Sequence, residues 1–134
     1  MKIRVATRKD YGIIVGKLHN FEKIDYLTEK HVETDIRHKN CYVLEDKGEI
    51  VAIGSIVHDN EFKMYYIKRL MILDENSKGK GYGKYIMRYL SNKKPVIATT
   101  PFKDNYIMKK LIESIGFKYK YTFLENYQLF VKEN

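Results

Sequence analysis

The sequence of 134 residues has one cysteine, two prolines and no long hydrophobic run. With Cys41 as the single cysteine no intramolecular disulfide can form, and a lone cysteine is most often a small buried hydrophobic residue. No stretch approaches the roughly 18 consecutive apolar residues that a membrane helix needs, and the basic start lacks the apolar region of a secretory signal. We therefore expect a protein without a membrane partner that works in the cytoplasm.

The sequence also lacks internal repeats, low-complexity segments and Pro/Ser-rich linkers. Its length suits one domain, which we expect to span residues 1–134. Hydrophobic residues make up 44% and charged residues 31% of the chain, which is typical of a globular protein. The net charge of +8 favours a polyanionic partner, which could be nucleic acid, an anionic membrane surface or a phosphate-rich cofactor. An evenly basic, solvated surface would give the same total, so charge alone does not choose among them.

Hydrophobic periodicity predicts strands and helices in a mixed order. The first half begins with a short strand and two helices, and the segments CYVLED and EIVAIGSIVH then predict two strands of an antiparallel meander. The remaining predicted elements, in chain order, are a third meander strand from Phe62 to Leu73, a helix after a glycine-rich turn, a strand from Pro95 to Thr99, a helix from Asn105 that ends at Gly116, and one or two strands from Tyr119 to Val131.

The glycine-rich turn LDENSKGKGYGK joins an apolar strand to an amphipathic helix. Its alternate glycines, Gly79, Gly81 and Gly83, leave a row of backbone N–H groups unshielded where the helix dipole is positive. This arrangement predicts an anion site. Lysines within the turn add charge suited to a pyrophosphate, at Lys78, Lys80 and Lys84.

Two common glycine motifs do not fit this turn. A P-loop would need Gly at position 78 and Ser or Thr at position 85, where the chain has Lys78 and Tyr85. A dinucleotide-binding G-x-G-x-x-G would need a third glycine at Lys84. The spacing therefore excludes both motifs.

The run from Lys78 to Gly83 resembles the Gln/Arg-x-x-Gly-x-Gly/Ala motif of the GNAT superfamily of acetyl-coenzyme A dependent N-acetyltransferases, with lysine in the first place. The starting segment IRVATRKD is similar to the family's first strand and helix entry. The segment from Asn105 to Phe117 is similar to its later Asn…Gly-Phe segment. The resemblance implies an α/β (α+β) fold, with a mixed, mostly antiparallel sheet of six to seven strands flanked by about four helices.

The resemblance also implies a binding site for acetyl-coenzyme A and no metal. Backbone groups at the end of the fourth strand would pair with the pantetheine arm, and a strand N–H near Leu73 would polarise the thioester carbonyl. The turn would hold the diphosphate, and the asparagine at the start of the later helix would help to fix the pantetheine. The implied cofactor-binding residues are Met71, Ile72, Leu73, Lys78, Gly79, Lys80, Gly81, Tyr82, Gly83, Lys84 and Asn105.

No catalytic residue can be named from the sequence. Many family members carry a carboxylate in the middle of the fourth strand, but the segment from Phe62 to Leu73 has none, and only Glu61 and His58 lie nearby. The family often has a tyrosine that protonates the departing thiolate in a Tyr-Glu-Lys-x-Gly-Phe segment. Here Ile112 stands at that position, so the general acid and base stay unassigned.

The resemblance predicts direct acetyl transfer, without a covalent enzyme intermediate, to a primary amine of a small molecule or a protein. Two other functions stay open. A coenzyme A binding protein with little turnover would explain Ile112 and the missing carboxylate. A basic nucleic-acid-binding module would explain the charge, although the acetyltransferase reading expects no nucleic acid partner. The sequence leaves the acceptor and the oligomeric state open, including a homodimer.

Overall fold

A computed structural model describes residues 1–21, 26–74 and 79–134. Within these residues the chain forms a seven-stranded mixed sheet and four α-helices, as predicted. The strands are β1 (Lys2–Val5), β2 (Cys41–Asp46), β3 (Glu49–Asp59), β4 (Met64–Ile72), β5 (Val96–Thr99), β6 (Lys118–Phe123) and β7 (Tyr127–Glu133). The helices are α1 (Tyr11–Phe21), α2 (Tyr26–Arg37), α3 (Tyr82–Ser91) and α4 (Tyr106–Ser114), with a short 3-10 turn at Arg8–Asp10.

The strands follow the order β1-β2-β3-β4-β5-β7-β6 across the sheet. All neighbours are antiparallel except β4 and β5, which run parallel. The predicted meander of β2, β3 and β4 is confirmed. Its first turn has Lys47 and Gly48 at φ 52° and 81°, the left-handed region that a tight hairpin of this kind requires.

The β3–β4 turn is longer than the sequence predicted. The carboxylate Oδ1 of Asp59 accepts hydrogen bonds from the backbone N–H groups of Glu61, at 2.9 Å, and Phe62, at 3.1 Å. This side-chain cap holds the chain in a turn, so β4 begins at Met64 rather than at Phe62.

Helices cover both faces of the sheet, because the central strands bury alternate residues on opposite sides. On one face, Leu44 and Ala52 pack with α3 and α4 residues such as Ile86 and Ile112. On the other face, neighbouring strand residues pack with α1 and α2, in a cluster that includes Ile14, Leu18, Val32, Ile36, Val43 and Ile53. The sheet is thus the middle of three layers. None of the described helices is both long and apolar enough to cross a membrane.

Candidate functional site

The seam between β4 and β5 is paired at only two positions, Tyr65 with Ile97 and Tyr66 with Ala98. Beyond them β5 ends at Thr99, whereas β4 continues to Ile72. The two strands therefore leave an opening in the sheet.

A bulge in β4 accompanies this opening. Ser55 pairs with Lys68 and Ile53 pairs with Met71, so two residues of β4 stand opposite Gly54 alone. One of the two, Arg69, has φ 54°, which lies in the left-handed region. Bulges of this kind bend a strand and increase its twist, and this one lies just beyond the two positions at which β4 pairs with β5.

Glycine is required opposite the bulge. A Cβ atom on Gly54 would lie 2.7 Å from Leu90 Cδ1 and 3.2 Å from Leu70 Cδ1. The missing side chain lets Leu90 of α3 and Leu70 of β4 pack over the strand, which fixes α3 beside the end of β4.

The opening forms a cavity of about 660 Å³. Its walls come from β4, from the end of β5 and the loop that follows, and from α3 and α4. The lining residues are Thr28, Ile67, Lys68, Arg69, Leu70, Met87, Thr99, Thr100, Pro101, Phe102, Asn105, Met108 and Tyr127. Its size suits a small molecule or an extended arm of one.

The backbone at the end of β4 corrects one expectation. The N–H of Leu73 donates to the carbonyl of Val51 at 2.8 Å, so it is already paired with β3 and does not face the opening. Because antiparallel residues alternate between the two neighbouring strands, Met71 also directs its backbone to β3, and Ile72 directs its own to the open edge. Of the three residues expected to pair with a ligand, the register leaves Ile72 in position.

The glycine turn has the conformation that an anion site requires. Gly79 and Gly81 have φ 86° and 77°, and a Cβ added to either would meet no atom within 4 Å. Gly81 is the N-cap of α3, and the first helical hydrogen bond runs from Tyr85 N to Gly81 O at 3.0 Å. The preceding amides of α3 therefore have no carbonyl within the helix to donate to, and these are the amides of Tyr82, Gly83 and Lys84.

The side chains of the turn divide into two groups. Lys80 and Lys84 are exposed, whereas the expected Lys78 lies outside the described residues. The Tyr82 side chain is buried and its hydroxyl donates to Asp46, which raises the pKa of the phenol. Tyr82 therefore ties α3 to β2, and only its backbone faces the ligand side.

The turn lies next to the open strand edge. A Cβ on Gly83 would lie 3.7 Å from Ile72 Cδ1, and Met87, one turn further along α3, lines the cavity. The helix N-terminus is therefore adjacent to the end of β4, and α3 continues from it to the cavity wall.

Asn105 lies where the resemblance placed it, at the start of α4 and on the cavity wall. Its Oδ1 accepts a hydrogen bond from Met108 N at 3.1 Å and caps the helix. The side-chain oxygen is therefore used by the protein, and the amide NH₂ is the part left for a ligand.

Acid and base groups are few at the cavity. No Asp, Glu or His occurs among the described residues that line it, and its titratable side chains are Lys68, Arg69 and Tyr127. His58 lies at the far hairpin, where its Nδ1 is 2.8 Å from Asn60 Oδ1. Ile112 is completely buried in the core, so it takes no part in proton transfer.

The sequence does not predict Tyr127 as a site residue, because nothing local marks it. It belongs to the aromatic end of the chain and reaches the cavity through an isolated bridge with Phe102, whose ring it stacks on at 4.6 Å. Only the register of β7 beside β5 brings it there.

A buried ion pair supports the bulge from the α2 side. Asp35, only 4% exposed, accepts from Arg69 Nη2 at 2.8 Å and from Ser55 Oγ at 2.8 Å. A buried carboxylate needs such partners, and here they join α2 to β3 and to the bulge. Asp35 belongs to a largely polar stretch of α2, so no local pattern in the sequence marked it.

Cys41 is buried, and burial raises the pKa of its thiol to about 12. A thiol with that pKa is protonated at neutral pH and is a poor nucleophile. Within the described residues no group of three His, Cys, Asp or Glu side chains could hold a metal ion.

Comparison with known proteins gives a family match and several structural matches. The family model of the acetyltransferase (GNAT) domain matches residues 37–119, more than half of the chain. A comparison with curated protein sequences finds no significant match.

The solved structures with a similar fold share little sequence with this chain. A GNAT-family acetyltransferase from Bacillus cereus is 15% identical with a TM-score of 0.83, over 99% of this chain and 96% of that one. A ribosomal-protein-alanine N-acetyltransferase from Brucella melitensis is 16% identical with a TM-score of 0.75, over 100% of both chains. A mutant spermidine N-acetyltransferase from Vibrio cholerae is 14% identical with a TM-score of 0.74, over 99% of this chain and 95% of that one.

Proposed function

The chain belongs to the GNAT acetyltransferase family, and from this premise we propose that it moves an acetyl group from acetyl-coenzyme A to a primary amine of a small molecule or a protein. The proposal rests on three features that lie close together. These are the opening between β4 and β5, the unpaired backbone edge at Ile72, and the glycine turn that begins α3. A cytoplasmic location remains part of the proposal.

The residues present fit a coenzyme A diphosphate. The amides at the start of α3 lack helical partners, and the left-handed Gly79 and Gly81 have no Cβ to shield them. Helix N-termini of this kind stabilise anions, and Lys80 and Lys84 add exposed cations. We include Lys78 in the diphosphate site on the family resemblance.

The pantetheine arm would pair with the open edge of β4 as an added strand does. The alternation of β4 gives this role to the backbone of Ile72 rather than to those of Met71 and Leu73. The free amide NH₂ of Asn105 would donate to the arm from the opposite wall.

The reaction is direct attack of a neutral amine on the thioester carbonyl carbon. A C–N bond forms and the C–S bond breaks, while the nitrogen loses one proton to water and the coenzyme A sulfur gains one. The developing oxyanion needs a fixed donor, and the N–H of Ile72 on the open edge replaces the N–H of Leu73 in this role. No covalent enzyme intermediate is needed, because the amine attacks the thioester directly.

Tyr127 is our candidate for the proton donor to the thiolate. It is the tyrosine among the described lining residues, and its ring is held by stacking on Phe102 and Phe123. Its phenol would donate a proton to the thiolate and regain one from water.

A second function is favoured by one observation, the absence of a carboxylate or histidine among the described lining residues. Together with the buried Ile112, this would suit a protein that binds coenzyme A and turns over slowly.

Calorimetry and a turnover assay test these proposals together. Acetyl-coenzyme A and a generic DNA duplex would each be titrated at low and high salt, and free thiol release would then be followed with a panel of amines. The panel includes spermidine and a peptide with N-terminal alanine, because two proteins of similar fold are named for acetylating spermidine and a ribosomal-protein alanine. We expect cofactor binding and thiol release. Binding without release from any amine would support the slow binder, and duplex binding without cofactor binding would overturn both proposals.

A further inference from the structure

The protein has a second cavity, of about 750 Å³. It shares no lining residue with the cavity at the β4–β5 opening, which we call the cleft. It lies beside β1, at the edge of the sheet, and between the start of α1 and the end of α2. Its lining residues are Val5, Ala6, Thr7, Arg8, Tyr11, Glu33, Ile36, Arg37 and Lys39. β1 is three strands from β4, about 14 Å across the sheet.

This second cavity combines an apolar floor with a cationic rim. The floor is formed by aliphatic and aromatic side chains, of which Val5 is 38% exposed. The rim carries Arg8, Arg37 and Lys39 against a single carboxylate, that of Glu33. Among the described residues none of the three cations forms an ion pair. The rim therefore has an uncompensated positive charge.

The cations come from two separate elements. Arg37 ends α2, where a cation also stabilises the helix dipole, but Arg8 belongs to the opposite wall and has no such role. Lys39 follows α2 with φ 60°, a conformation that favours glycine. Its N–H donates to Ile36 O at 3.0 Å, which fixes the backbone at the rim. A strained non-glycine residue is often found at a functional site.

We propose that this cavity binds a small organic anion with an apolar body, such as a carboxylate on a short aliphatic or aromatic group. The apolar floor would cover the body, and the three cations would hold the carboxylate by charge-assisted hydrogen bonds. A neutral molecule of the same shape leaves the rim cations without a partner, and a cation meets repulsion.

Occupancy of this cavity is coupled to the cleft through α2. Ile36 and Arg37 line the second cavity, and the adjacent Asp35 holds Arg69, which lines the cleft. Thr28, at the other end of the same helix, also lines the cleft. A ligand that shifts α2 therefore changes both contacts, and binding at the two sites must be linked reciprocally.

The binding test uses hexanoate and two controls. Acetate has the carboxylate without the long aliphatic chain, and 1-hexanol has the chain without the carboxylate. Each is titrated into the full chain by calorimetry and by amide chemical shifts. We expect hexanoate to bind about tenfold more tightly than either control, and to shift the amides of the second cavity. Equal binding of hexanol, or shifts confined to the cleft, would overturn the site.

Two variants of the rim test whether its cations bind the anion or only stabilise the fold. Arg8→Gln and Arg37→Gln should each weaken hexanoate binding about tenfold, whereas Lys17→Gln, on α1 outside the cavity, should not. Because Arg8 is exposed and unpaired among the described residues, its variant stays informative even if the loss of the α2 terminal charge destabilises the other. Unchanged affinity in Arg8→Gln would contradict the proposal.

The coupling is read out independently of acetyl transfer. Saturating hexanoate should shift the Arg69 Nε–H resonance and change the affinity for coenzyme A about two- to fivefold, with the same factor in the reciprocal titration. If coenzyme A does not bind at all, the proposed function fails, and the Arg69 resonance still reports on α2. No shift at Arg69 with hexanoate bound would refute the coupling.

Discussion

The two edges of β4 differ in how far they are paired. Towards β3 the register runs from Asp59 and Met64 to Ala52 and Ile72, and the N–H of Leu73 extends it by one further bond. Towards β5 only two positions pair. One edge satisfies enough backbone groups to hold the strand, so the other can stay available to a ligand without loss of the fold.

Different interactions stabilise the two sides of this strand. On the β1–β3 side, buried or half-buried charged groups join one element to another, as Arg4 of β1 does with Asp10 of the 3-10 turn at 2.8 Å. On the open side, the candidate site consists of backbone N–H groups and glycines with empty space around them. We therefore expect changes on the first side to alter stability, and changes on the second to alter binding or turnover.

The largest effect on the open side is expected from Gly81→Val. A β-branched residue at φ 77° is strained and turns the amides of the α3 N-terminus out of position. We expect the affinity for acetyl-coenzyme A to fall at least about 100-fold, measured by calorimetry.

Gly48→Val is the matched control for this change. Gly48 has φ 81° and equally open surroundings, but it lies in the β2–β3 hairpin. Both variants should lose about 1–2 kcal/mol of stability, and only the Gly81 variant should lose the cofactor. An equal loss of binding in both variants would mean that strain, rather than the position of the amides, is responsible.

On the β1–β3 side, we expect Asp10 to make the protein less stable at acid pH. The hydrogen bond from Arg4 lowers the pKa of this carboxyl from 3.8 to about 2. Since its folded pKa is below the unfolded value, Asp10 stabilises the protein above pH 4 and loses that contribution as the pH falls towards 2. Asp10→Asn should therefore cost about 2 kcal/mol of unfolding free energy at neutral pH and less than about 0.5 kcal/mol at pH 2.

The control for Asp10 is Glu49→Gln, which removes a carboxylate of an exposed pair with Lys17 at 3.6 Å. Exposed pairs contribute little, so its effect should stay below about 0.5 kcal/mol. Neither variant should change the affinity for acetyl-coenzyme A. Weaker cofactor binding in Asp10→Asn would show that the two sides of β4 are not independent.

Within the open side, Tyr127→Phe separates chemistry from binding. If the phenol protonates the thiolate, kcat should fall about tenfold or more, while the dissociation constant of acetyl-coenzyme A is unchanged. Tyr121→Phe is the control, because Tyr121 is exposed on β6 and does not line the cavity. Equal turnover in the two variants would remove Tyr127 from the mechanism.

Local patterns were sufficient to predict most of the fold. Gly48 and Gly116 mark a hairpin and a helix end because only glycine adopts φ 81° and 109° without strain. The β3–β4 turn was placed wrongly because Asp59 caps it by side-chain hydrogen bonds, which periodicity does not detect. Such caps depend on geometry that no hydrophobic pattern encodes.

The candidate site was predictable only where it is made of backbone. The glycine spacing indicated unshielded amides, and Gly79 and Gly81 have the required conformation. The side on which each β4 residue presents its N–H depends on register, so the sequence could not show that the N–H of Leu73 pairs with Val51 of β3. Residues brought in by long-range pairing, such as Tyr127, leave no local signal.

The smallest effect is expected from Lys84→Gln, which tests whether side chains or backbone hold the diphosphate. Lys84 is exposed, so its contribution is screened by solvent, and we expect about a threefold loss of affinity for acetyl-coenzyme A at low salt. The loss should shrink at high salt, whereas the loss in Gly81→Val should not. Lys2→Gln on β1 has the same charge change and should leave the affinity unaltered. If Lys84→Gln instead lost as much affinity as Gly81→Val, the anion site would depend on lysine side chains rather than on backbone amides. The open side of β4 would then rely on charged side chains, as the β1–β3 side does.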